Sequence, residues 1–231
     1  MTARCRLWLA LLPAMAVPFV AALFYFVIFS HYAFAKIIYA LAKVFLLIWP
    51  ILSIRLILGG RFPRIDLGCP THRRAIPLGA VVGITIVLLM FGLMKTPLAS
   101  MVIDSSQQIR QKARQLGVLE HYWLFAVFLS IVHSFIEEYY WRWFVYGQLR
   151  HICGINVALV LAAAAFAAHH VVIAAQFFPA LWALVAGGTV ALGGLIWCWM
   201  YQRQKTLVGA WLSHAIVDFG IMSIGYRLLS Q

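Results

Sequence analysis

The sequence predicts an all-α fold: a polytopic transmembrane helix bundle of about seven spans, with one further segment suited to an interfacial helix. Three observations carry that reading. Of 231 residues, 65% are hydrophobic and 10% are charged, and the mean hydropathy is +0.93, far from the mix of a soluble globular domain. Apolar runs recur from end to end, each long enough to cross a hydrocarbon layer of roughly 30 Å, which takes about 20 helical residues. Most of the charged side chains fall between those runs.

The first run, 7–29, follows Arg4 and Arg6. A signal peptide ending near Ala14–Ala16 is the other reading of that start, but the apolar stretch continues through Phe29 and favours an uncleaved span. The second run covers 36–58. The loop after it is flanked by Arg55, Arg61, Arg64, Arg73 and Arg74, as expected of a connection that stays in the cytoplasm beside anionic headgroups. The third run, 76–94, contains Gly79 and Gly83, a spacing that permits close helix packing but is common in membrane sequences. Ser100–Leu116 is polar, yet Val102, Ile109, Ala113 and Leu116 share one helical face, which suits a helix lying in the interface. Four more runs follow at 119–149, 154–177, 180–201 and 207–229. We read residues 1–118 as N-terminal helices with the basic loop and the interfacial helix, and 119–231 as the core that carries the chemistry, within one membrane domain.

Eighteen basic against six acidic side chains give a formal charge of +12. In a soluble protein that balance would suggest nucleic acid. Here the basic residues sit in short loops, so the expected partner is the lipid bilayer and no nucleic acid. With the N-terminus inside, ten of the basic residues fall on the cytoplasmic side and six on the other, while Lys43 and Arg142 lie within spans. The four cysteines, Cys5, Cys69, Cys153 and Cys198, lack the paired spacing of a zinc or redox motif.

The acidic residues are more telling. Asp66, Asp104 and Glu120 fall in loops or at a span end, whereas Glu137, Glu138 and Asp218 fall inside spans. A charge at the bilayer centre costs about 2.5 kcal/mol or more, so each of these is a functional candidate by default. Glu138 and Arg142 stand four apart with the glutamate first, the favourable order for an ion pair on one helical face. Glu137, rotated by about 100° from its neighbour, faces elsewhere. Phe166 and His170 are also four apart, as are His214 and Asp218, so each pair projects from a single face. If the spans 119–149 and 154–177 form an antiparallel hairpin turning near Ile152, Glu137 and His170 lie within about 5 Å of the same depth. His169 lies on a different face from His170 and is read as structural, the other reading being that it substitutes as the active imidazole. His133, one turn before Glu137, is read as structural, the other reading being a hydrogen-bonding neighbour of that site.

These three elements resemble the motifs of the CAAX protease and bacteriocin-processing family of intramembrane endopeptidases: EExxxR at Glu137–Arg142, FxxxH at Phe166–His170 and HxxxD at His214–Asp218. The resemblance covers residues 119 to the end. It implies that Glu137 and His170 activate a water and that His214 and Asp218 serve the oxyanion, with Glu138, Arg142 and Phe166 in support. Members often carry Asn where this chain has Asp218. An ionised aspartate cannot donate a hydrogen bond to an oxyanion, so Asp218 either carries a proton or orients His214.

The expected function is an intramembrane endopeptidase of glutamic type that hydrolyses a peptide bond in a membrane-associated protein or peptide, using a Glu/His-activated water and no cofactor. One alternative keeps the same residues as zinc ligands with an open position for water, although the HExxH spacing of many metalloproteases is absent. Another is a transporter or proton relay through Glu137, His170 and Asp218, but the inverted repeat common in transporters is not seen. The expected location is a prokaryotic cytoplasmic (inner) membrane.

Overall fold

The computed structural model describes residues 2–61, 70–115 and 117–230. Arg64, Asp66, Cys69 and Leu116 lie outside the described residues. All regular structure among the described residues is helical: α1 (Ala3–Ile28), α2 (Ala35–Ile57), α3 (Pro70–Leu93), α4 (Ala99–Asp104), α5 (Ser106–Gln115), α6 (Leu119–Cys153), α7 (Ile155–Ala174), α8 (Ala180–Gln204) and α9 (Val208–Leu229). Seven of these are long and apolar enough to cross a membrane, α4 and α5 being the exceptions. These are the seven runs legible in the sequence. The polar segment expected at the interface forms α4 and α5.

Large apolar side chains face outward on the long helices, Leu56 at 77% exposure and Leu124 at 71% among them. Such surfaces suit hydrocarbon rather than water. The long helices are not uniform. Phe24–Ile28, Ser53–Ile57, Leu129–His133 and Glu138–Tyr146 are wound as π-helix, a form that often marks functional positions.

The chain groups into two compact units, residues 1–69 with 136–203, and residues 70–135 with 204–231. In the first unit, α1 packs against α7 and α2. Pro18 inside α1 has no N–H to offer the carbonyl of Ala14. The Tyr140 hydroxyl of α6 donates to that carbonyl at 2.8 Å, so a helix defect becomes an interhelical link. Gly154, at φ +77°, makes the tight turn from α6 into α7.

In the second unit, α3 lies along α9 with backbones almost touching. A Cβ at Gly79 would meet the Gly209 carbonyl oxygen at 2.5 Å, and one at Gly83 would stand 2.9 Å from Ile216. The small-residue spacing therefore marks a helix contact here. Gly92, on the same helix, has open space around it. Gly79→Leu is expected to destabilise the protein by about 1–3 kcal/mol through overpacking, while Gly92→Leu leaves stability near that of the parent. Thermal unfolding of the two purified variants in detergent checks the contrast.

Candidate active site

The site begins with a helix that carries charge where charge is costly. Along α6, Glu137 is 3% exposed, and Glu138 and Arg142 are fully buried. Arg142 Nη1 lies 2.9 Å from Glu138 Oε1. The two groups form a direct ion pair within one turn of the helix. The rest of the guanidinium faces aromatic rings, at 4.3 Å from the centroid of Phe166 and 4.9 Å from that of Trp197. Cation–π attraction takes the place of the water that burial has removed.

Phe166 links this pair to the histidines. Its ring centroid lies 4.6 Å from that of His170, so one side chain packs on both Arg142 and His170. His170 Nδ1 is 2.9 Å from the Phe166 carbonyl oxygen. A carbonyl only accepts, so Nδ1 is the donor in this contact.

The structure brings Glu137 and His170 together, at the common depth that the hairpin argument anticipates. It also brings in His169. One ligand atom each of Glu137, His169 and His170 lie within 4.8 Å of one another, and His169 Nε2 stands 3.7 Å from Glu137 Oε1. The His169 ring stacks on Trp141 with an interplanar angle of 8°. Regular helical spacing places His169 on a different face from His170, and the structure shows it close to Glu137 all the same.

A cavity of about 60 Å³ is walled by Glu137, Trp141 and His169, and by Tyr39 and Lys43 of α2. It has room for a few waters, since one needs about 10–15 Å³. Lys43 shares the cavity wall with Glu137, and its ammonium lies 5.0 Å from the centroid of the Tyr39 ring. Sequence reasoning placed Lys43 within a span and gave it no role. The cost rule that singled out the glutamates applies equally to a lysine there.

His214 and Asp218 belong to the second unit. His214 is 3% exposed, and its Nε2 lies 3.6 Å from Asp218 Oδ1. The two side chains face each other across one turn of α9, as their spacing anticipates.

Residues 119–220 match the family model described as type II CAAX prenyl endopeptidase Rce1-like. That match falls in the CAAX protease family that the three motifs resemble, and the matched segment contains all seven motif residues. Tyr39 and Lys43 lie outside it. Comparison with curated proteins and with solved structures found no match. The CAAX protease family implies a protease that acts on membrane-associated proteins, and with seven apolar helices it indicates an integral membrane protein.

Proposed function

We propose that the protein is a glutamic-type intramembrane endopeptidase in which Glu137 and a histidine of α7 activate water against a peptide bond. The observation that carries this reading is the cavity lined by Glu137 and His169, with room for water and with His170 close to both. Glu137 takes the proton of the attacking water and hands it to the leaving amine. His170, with Nδ1 engaged by the Phe166 carbonyl, offers Nε2 to hold that water. Lys43 stands in the wall of the same cavity as Glu137. The substrate is a membrane-associated protein or peptide, and the proposed location is a prokaryotic cytoplasmic membrane.

His214 is assigned to the oxyanion, with Asp218 as its orienting partner. An ionised Asp218 accepts from one ring nitrogen, and the other donates to an oxyanion when the ring carries both protons. Asp218→Asn removes the charge that supports that doubly protonated ring. It is expected to lower turnover by about 10- to 100-fold, the usual range for an orienting partner. Turnover of the purified variant near that of the parent would make the position a hydrogen-bond donor instead.

The donor set Glu137, His169 and His170 also fits a zinc ion. Bound there, zinc would polarise the water and carbonyl that the side chains otherwise serve. Metal analysis of purified protein, with cleavage followed in chelator, separates the two readings: full activity without metal supports the glutamic mechanism, and loss restored by zinc supports the other.

Comparing membrane-protein termini between cells holding the intact protein and cells holding Glu137→Ala tests the function itself. New termini found only with the intact protein are expected and would name the substrate. Identical termini in both would remove the proteolytic reading.

A further inference from the structure

A second group of charged side chains lies in the first unit, where α1 begins and where α2 and α6 end. Gly59, at φ +66°, turns the chain back after α2, with the Gly60 N–H on the Ile54 carbonyl at 2.8 Å. Arg61 is thereby carried to the wall of a cavity of about 260 Å³, shared with Arg150, His151, Trp143 and Tyr201. An adjoining recess of about 280 Å³ adds Arg6 and shares Leu58, Gln148 and His151.

Two properties make this more than a scatter of loop arginines. Arg150 is held by neutral acceptors, with Nη1 on Gln202 Oε1 at 3.0 Å and Nε on the Gly147 carbonyl at 3.3 Å. The Tyr146 hydroxyl reaches the same Gln202 oxygen at 3.1 Å. The guanidinium is thus positioned without being neutralised. Moreover, no carboxylate among the described residues lines either recess. The two described acids of this unit are engaged elsewhere, Glu138 with Arg142 and Glu137 in the buried cavity.

We propose that the recess formed by Arg6, Arg61, Arg150 and His151 binds the phosphate of an anionic membrane lipid. It sits at span ends, where headgroups lie. Leu58 in its wall and the exposed Leu56 beside it offer an acyl chain a path along α2. The guanidinium groups suit a phosphate diester better than a zwitterionic headgroup, whose own cation would meet them. The inference is independent of the proteolytic reading.

The test is retention of defined lipids by the purified full-length chain, measured by native mass spectrometry after exchange into mixed micelles of phosphatidylglycerol and phosphatidylcholine. The parent is expected to retain phosphatidylglycerol over phosphatidylcholine by about tenfold or more, and Arg61→Gln with Arg150→Gln should bring the ratio close to one. Arg110→Gln with Arg114→Gln, which removes the same charge elsewhere, should keep the preference. Arg61→Gln alone, on an exposed side chain, should lower it partway should the double variant fail to fold. Equal retention of both lipids by the parent, or an unchanged ratio in the Arg61 variants, would overturn the proposal. So would displacement of the lipid by millimolar inorganic phosphate, which would assign the recess to a free anion.

Discussion

Glu137→Gln is expected to lower turnover by about 10²- to 10⁴-fold, the range for loss of a general base, while leaving the purified protein folded. Glutamine preserves the volume that Glu137 occupies in the cavity wall, so packing and substrate access are kept. It cannot accept a proton from water. The loss should therefore fall on kcat, with KM little changed, as for a group that acts only in the transition state. Single-turnover cleavage of an acyl-anchored reporter peptide in liposomes measures it, with thermal unfolding as the control. Parental turnover by the variant would remove Glu137 from the reaction.

Arg142→Ala is expected to cost about 3–5 kcal/mol of stability, because it removes the guanidinium charge that faces the buried Glu138 carboxylate. Removing the guanidinium also opens the space between Phe166 and Trp197, and Phe166 packs against His170. The variant should thus lose activity along with stability. Glu138→Leu combined with Arg142→Met removes both charges and fills the volume. Replacing a buried pair in this way is often near neutral, so this double variant should recover most of the stability. Denaturation of both variants in detergent distinguishes the cases. A double variant as unstable as Arg142→Ala would show that the pair's charges hold the fold, beyond the volume they fill.

Much of this was readable from the residues. The seven spans follow from apolar run length, because the backbone can satisfy its hydrogen bonds in lipid only as helix or closed barrel. The pairing of Glu138 with Arg142 follows from their spacing, as does the facing of His214 and Asp218. The common depth of Glu137 and His170 follows from helical rise on either side of one turn. What was not readable depends on how helices are wound and approached. A regular period of 3.6 residues turns His169 away from His170, yet both rings bring a nitrogen close to Glu137, and α6 is π-wound from Glu138 onward, which alters the angles between its side chains. Lys43 was missed for a different reason. It sits on a helix far from the motifs in sequence, and only the packing of the first unit sets it beside Glu137. The use of Tyr140 to serve the carbonyl that Pro18 leaves open likewise joins residues that no local pattern connects.

The central claim is that water, activated by Glu137, attacks the peptide bond directly. A single turnover in heavy-oxygen water, with metal removed by chelator, tests it. Heavy oxygen is expected in the new carboxyl terminus of the first product and none in the Glu137 carboxyl. Heavy oxygen in Glu137 with an unlabelled first product would identify a covalent nucleophile, and cleavage that stops in chelator and returns with zinc would identify a metal enzyme. Either result would contradict the mechanism.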